Sequence, residues 1–375
     1  MLRLFLIFVI VFVSACSGIS REPVELSDLR TPQVPGIEDA RYWADATPEN
    51  LRDVLAARER QRRASGLSGN HTTLTLSGGG ENGAFAAGIL TAWSESGTRP
   101  EFLTVTGVST GALAAPFAFL GSEYDDELRR VYGGLESEEI FIFRGIFGIL
   151  PNASITSADP LRRLLQEYVT DGFLARISKE HSRGRRLFVQ SVSLDAQRPV
   201  LWDLGAVASS GAPNAKEVFQ DILLASAAIP GVFPPVLIEV ETASGVKDEL
   251  HVDGSVYSQS AFVPRWRIPN VVAGRPTLYA IRNGKVTPEA DVTNPRIFTI
   301  MNRSLATLIK VQGASDLQVM YDLGKQSGSD YNATWIGPEF TYPLEKPFDP
   351  DYMQALFQYG YDRFKSGTLW SSEPP

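Results

Sequence analysis

Residues 73–83 read Thr-Leu-Thr-Leu-Ser-Gly-Gly-Gly-Glu-Asn-Gly, and a run of small residues continues from Gly83 to Ser96. Thr73 to Leu76 alternates β-branched and apolar residues, the pattern of a short strand. The Gly83–Ser96 run predicts a helix. The glycines between them, Gly78, Gly79 and Gly80, let the backbone turn sharply and present bare N–H groups at a helix N-terminus. Such a cluster stabilises negative charge, on a phosphate or on a developing oxyanion. The strand–turn–helix pattern then repeats, with a strand predicted over Phe102–Thr106 and a helix over Gly111–Leu120. Further strands are predicted over Leu187–Leu194, Val236–Glu241, Glu249–Val252 and Thr277–Ile281. Helices are predicted over Ala215–Ser226 and, near the end, over roughly Ile300–Lys325 and Asp351–Lys365. Alternating β and α segments imply an α/β fold, a mainly parallel sheet covered by helices on both faces.

Gly78-x-Gly80-x-x-Gly83 also fits a dinucleotide fingerprint, which wants an acidic residue about 20 positions on, at the end of the next strand. That strand ends at Thr106-Gly107, with Glu101 before it, and a P-loop lysine is replaced by Ala84-Phe85. The second junction, Gly107-Val108-Ser109-Thr110-Gly111, has the context of a nucleophile elbow, where glycines relieve crowding at a turn that exposes a serine hydroxyl. A serine nucleophile needs a base. No histidine follows His251, and His71 and His181 sit in polar surroundings that read as surface. The third segment, Val252-Asp253-Gly254-Ser255, ends a predicted strand and offers a carboxylate. An ordinary Asp, with a pKa of about 3.9, is a poor base unless burial raises it. On these residues alone, both His251 and Asp253 stand as candidates.

Taken together, the three segments resemble the patatin-like phospholipase family, with its glycine-rich oxyanion loop, G-x-S-x-G serine and later D-G-A/G aspartate. Ala225-Ser226-Ala227-Ala228-Ile229-Pro230-Gly231, followed by Phe233-Pro234-Pro235, resembles the family's A-S-x-x-x-P block. The resemblance covers roughly Thr72 to Tyr257. It implies a three-layer α/β/α fold, Ser109 as nucleophile and Asp253 as its base. It also implies the Gly78–Gly80 amides as oxyanion donors, supporting glycines at Gly83, Gly107, Gly111 and Gly254, a lipid ester substrate, and no metal or organic cofactor. Two departures stand out: Asn82 occupies a position where the family usually has Arg or Lys, and Ser255 makes the aspartate motif D-G-S. An esterase using His251 and a non-catalytic lipid-binding lipoprotein are the alternatives.

The chain has 375 residues, 35 Lys and Arg against 43 Asp and Glu, and a net charge of −8, which argues against a nucleic-acid binder. One cysteine and three histidines exclude an intramolecular disulfide and leave little for a metal centre. Leu4 to Val13 is ten residues without a polar side chain, too short to span a bilayer, and suits a signal peptide. Val13-Ser14-Ala15-Cys16 resembles the bacterial lipobox, which implies acylation of Cys16, attachment to a membrane surface in the cell envelope and, with Ser17 following, the outer membrane facing the periplasm. The domains expected are a signal peptide (1–15), an extended Pro/Gly tether (16–46), a linking helix (47–71) and a hydrolase domain (72–375). Within the last, the motif-bearing part is 72–257 and a helical extension covers about 286–375. The linking helix carries Arg52, Arg58, Arg60, Arg62 and Arg63, which read as facing solvent or anionic headgroups. The apolar run Ile140–Leu150 reads as a buried segment or a mobile lid.

Overall fold

A computed structural model of the chain describes residues 19–29, 32–67, 71–134, 137–143, 154–261 and 275–375. The signal peptide, Cys16 and the part of the apolar run from position 144 on lie outside the described residues. The elements used below are β1 (Arg41–Trp43), α1 (Leu51–Ala64), β2 (Thr72–Leu76), α2 (Gly83–Glu95), β3 (Thr104–Val108), α3 (Thr110–Leu120), α4 (Asp125–Gly133), β4 (Ile142–Phe143) and β5 (Thr156–Ser157). They continue with α5 (Asp159–Tyr168), α6 (Asp171–Ser182), β6 (Arg186–Ser193), β7 (Arg198–Asp203), α7 (Leu204–Ser209), α8 (Ala215–Ser226), β8 (Val236–Thr242) and β9 (Gly245–Asp253). The last are β10 (Thr277–Lys285), α9 (Ile297–Gln326), β11 (Asp330–Ile336) and α10 (Pro350–Lys365).

Nine strands form one sheet in the order β1-β7-β6-β3-β2-β10-β11, with the β8–β9 hairpin joined to β6. β6, β3, β2, β10 and β11 run parallel, while β7, β1 and β9 are antiparallel additions. Side chains alternate across a strand, so register sorts them into two layers. Leu74, Val105, Leu187 and Val189 share one face and enter the large core with α2, α3, α8 and α10. Val108 and Phe188 point to the other face and meet Leu51 of α1. On that same face Leu278 and Ala280 pack against Leu317 and Met320 of α9. The α/β/α layering follows from that alternation.

Three features differ from expectation. The described part of the expected tether, 19–29 and 32–46, is not free: from Arg21 its described residues are laid along the domain. Arg21 pairs with Asp195 at 2.8 Å, Pro23 bridges to Asp248 and Gln33 to Glu241. Val34 and Ile37 are buried, and β1 adds to the edge of β7. Proline and glycine set only the local backbone of such a segment, and its distant partners decide where it lies. In α1, Arg58 turns inward to the carbonyls of Gly184 and Leu103, both at 3.0 Å, and Arg62 is buried against His71 at 2.6 Å. Only Arg52, Arg60 and Arg63 are exposed. The C-terminal extension is not wholly helical, because β11 completes the sheet beside β10.

Candidate active site

The site is set by how β6 divides one of its edges between two partners. Its first five residues pair with β3, ending at Val108 opposite Gln190. The last three pair with β9, which runs the other way and ends at Asp253 opposite Ser191. Two strands from opposite directions therefore stop at adjacent positions, with Ser109 following one and Asp253 closing the other. Strand β3 runs two residues past the predicted Thr106, which carries the chain right to the serine.

Ser109 has φ 55° and ψ −126°, a left-handed conformation that costs a non-glycine residue on the order of 1–3 kcal/mol. Neighbours hold it there. Ser226 accepts a hydrogen bond from the Ser109 amide at 3.0 Å and donates to the Gln190 carbonyl at 2.7 Å. The Ala228 carbonyl accepts from the Asp253 amide at 2.9 Å. The Ala225–Gly231 block thus fixes both ends of the pair. That explains physically why a serine and a rigid turn occur there in sequence.

Asp253 is 1% exposed and Ser109 4%. The Asp253 Oδ1 atom accepts from the Ser255 amide at 2.8 Å. Its Oδ2 makes no hydrogen bond of normal geometry to the described residues. Burial pushes this carboxyl up to about 6, and the Ser109 hydroxyl and Ser255 pull it part of the way back. A carboxylate at about 6 is ionised at neutral pH and a far better proton acceptor than one near 3.9.

The glycine loop departs from expectation at one position. The Gly78 amide already donates to the Gln259 carbonyl at 2.9 Å, so it is not free for a ligand. What Gly78 provides is proximity, since any Cβ there would press on Ser109 and Ser255. Among the described residues the Gly79 and Gly80 amides make no such bond, and Gly80, at φ 57°, faces the cleft beside Ser109. The motif glycines sit where a side chain would strike a neighbour: Gly83 against Thr110, Gly107 against the Gly111 carbonyl, Gly111 against the Leu76 carbonyl, and Gly254 against the Gln190 carbonyl. Asn82 accepts from the Tyr352 hydroxyl at 2.7 Å, which ties the loop to α10.

His251 is not brought to Ser109. It is fully buried, and both ring nitrogens are engaged: Nε2 with Glu249 at 2.9 Å and Nδ1 with Ser191 at 2.9 Å. Trp202 donates to the same Ser191 oxygen at 2.7 Å. His71 and His181, read as surface residues, are half-buried beside Arg62 and Asp203.

A narrow cleft, with a free volume of about 50 Å³, starts at Gly80 and Ser109. Its walls are almost entirely apolar and include Leu113, Ile140, Leu161, Leu164, Phe233 and Met353. Met353 and Phe348 come from the C-terminal extension, which therefore helps to line the cleft. Of the apolar run 140–150, Ile140 and Phe141 are buried, whereas Ile142 and Phe143 are exposed. Among the described residues, no group of three or more His, Cys, Asp or Glu side chains is placed to hold a metal ion.

Comparison with curated proteins finds no match. Among solved structures, the chain is similar to VipD from Legionella pneumophila, at 12% identity and a TM-score of 0.41, over 80% of this chain and 67% of that one. It is similar to ExoU from the type III secretion system of Pseudomonas aeruginosa, solved in complex with SpcU, at 14% identity and a TM-score of 0.31, over 80% and 53% of the two chains. It is similar to human GIVD cytosolic phospholipase A2 at 10% identity and a TM-score of 0.31, over 84% and 55%. The chain thus spans about two thirds of the first protein's length and little more than half of the other two. Residues 74–264, half of the sequence, match the family described as Patatin-like phospholipase. The chain belongs to the patatin-like phospholipase family.

Proposed function

We propose that the protein is a serine acyl hydrolase that cleaves carboxylic esters of lipids through a Ser109–Asp253 dyad. The observation that carries this reading is the juxtaposition on β6: a strained serine and a buried carboxylate meet at the head of an apolar cleft. Asp253 takes the hydroxyl proton as Ser109 Oγ attacks the ester carbonyl. The Gly79 and Gly80 amides receive the oxyanion, and the alcohol leaves with the proton. Water activated by the same Asp253 then releases the acyl group from Ser109. Both carboxylate roles need an acceptor that is ionised at working pH, which a value near 6 supplies.

The test is hydrolysis of p-nitrophenyl esters of graded chain length and of phospholipid vesicles. Ser109→Ala is expected to lower turnover at least about 10³-fold, and His251→Gln to keep it within about threefold per folded molecule. Full activity in Ser109→Ala removes the mechanism. A wild type that neither turns over any ester nor reacts with a fluorophosphonate supports the non-catalytic reading instead.

The reading extends to a membrane surface as the place of action. Exposed apolar residues lie on segments that adjoin the site: Phe143 on β4, which packs on Phe141 and through it on the cleft residue Phe233, Tyr257 after the aspartate motif, and Leu305 and Leu308 on α9. α9 adjoins the aspartate motif through Gln312, which contacts both Gln259 and the Tyr257 carbonyl. No helix among the described residues is long and apolar enough to cross a membrane. Attachment would come from an acyl group on Cys16, at the bacterial cell envelope. Withdrawing two leucines from lipid costs about 1.5–3 kcal/mol each. Leu305→Asp combined with Leu308→Asp is therefore expected to lower vesicle hydrolysis at least tenfold and leave a soluble short-chain ester within about twofold. Equal losses on both substrates contradict the surface assignment.

A further inference from the structure

Arg282, near the end of β10, lies directly beneath the glycine loop and is 3% exposed. Its Nη1 donates to the Gly78 carbonyl at 2.9 Å, and more weakly to Ser77 Oγ and Gln259 Oε1, both at 3.2 Å. Ser77 Oγ donates to the same Gly78 carbonyl at 2.7 Å. Burial lowers this guanidinium to about 10, with Asp316 opposing the fall, so it is cationic at neutral pH. Asp316 accepts from the Gln259 and Ser260 amides at 2.6 and 3.1 Å, holding in place the residue whose carbonyl takes the Gly78 amide. Its surroundings leave little room for movement: Gly313 and Gly284 both present bare Cα faces to the guanidinium.

Resting on the catalytic reading above, we propose that Arg282 is the positioning residue of the oxyanion site, acting through the Gly78–Gly79 peptide. The bond is trans, so a carbonyl pulled toward Arg282 sends the Gly79 N–H to the opposite side. A cationic donor on that carbonyl also polarises the peptide and makes the Gly79 N–H a stronger donor. The cation missing from the loop itself, where Asn82 stands, is thus supplied from below, through the backbone rather than to the substrate. Arg282 touches no reacting atom. Its contribution appears only when negative charge develops on the ester oxygen.

The experiment compares an oxygen ester with its thionoester, whose sulfur is a poor hydrogen-bond acceptor and responds weakly to the oxyanion donors. Arg282→Lys keeps the charge and loses the planar fork. It is expected to lower kcat for the oxygen ester on the order of 10–100-fold, with KM within about threefold and the oxygen-to-thiono rate ratio falling in parallel. Ser77→Ala, a smaller change on the same carbonyl, is expected to lower the ratio less and in the same direction. It decides the matter alone if Arg282→Lys does not fold. An unchanged ratio in the folded variants, whatever the loss of rate, overturns the assignment and makes Arg282 a structural ion. A wild type that cleaves neither ester removes the catalytic reading and this role with it.

Discussion

Asp253→Asn is expected to abolish ester hydrolysis while making the protein harder to unfold at neutral pH. Loss of a positioned base costs on the order of 10²–10⁴-fold in rate. The gain in stability comes from the same burial that makes the carboxylate useful. Asp253 is held at about 6 in the folded chain, above its ordinary value. Below about pH 4 it is protonated in both the folded and unfolded states, and its burial carries no ionic penalty. As pH rises from about 4 to 6 the unfolded chain ionises it first, and the folded state loses roughly 3 kcal/mol relative to the unfolded one. Asparagine has no charge to desolvate. Urea unfolding should therefore show the variant about 1–3 kcal/mol more stable at pH 8 and no more stable than wild type at pH 4. Wild-type kcat/KM should fall about tenfold per pH unit below about 6. A variant less stable than wild type at pH 8 contradicts the assignment of Asp253 as a strained, buried carboxylate.

The second large effect lies outside the site. Arg41 and Glu249 are fully buried and joined by bonds of 2.7, 3.0 and 3.2 Å. Glu249 continues through His251 and Ser191 to Trp202. Burial alone would raise the Glu249 carboxyl, but Arg41 and His251 outweigh it and hold the group down at about 2. The stabilisation is thus present above the ordinary glutamate range and fades as pH falls toward 2. Arg41→Ala strands a buried carboxylate, at a cost of about 3–5 kcal/mol. It also releases the N-terminal segment, so proteolysis before β2 should quicken. Arg41→Met with Glu249→Leu removes both charges and is expected to recover most of the loss. A single variant within 1 kcal/mol of wild type shows that the network contributes little.

These two cases also mark what sequence can and cannot carry. The strand-to-turn junctions at Ser109 and Asp253 were legible because strand ends, glycines and turns express local requirements of the backbone, whereas the choice of Asp253 over His251 and the Ala225–Gly231 block rested on resemblance to the family. The role of Arg41 was not, because its partner lies 208 residues away and nothing in Pro35-Gly36 signals docking. Gly78 read as an equal of Gly79 and Gly80 for the same reason: the carbonyl that occupies its amide belongs to Gln259, far along the chain. Arg282 followed a predicted strand that ended at Ile281, and its partner Gly78 is 204 positions distant. His251 looked available as a base until its two nitrogens were found committed to Glu249 and Ser191.

The docked N-terminal segment has a consequence for reach. Only four residues separate Cys16 from Arg21, the residue pinned to Asp195. Fully extended, those five peptide steps span about 18 Å, whereas a free chain to residue 46 would allow several times that contour. Asp195 follows the C-terminal end of β6, the same end of the sheet at which β3 delivers Ser109. With an acyl group on Cys16, the enzyme would be moored by its working end. So anchored, it would graze the leaflet that holds it, moving laterally from one lipid to the next, and would not reach across to a facing membrane.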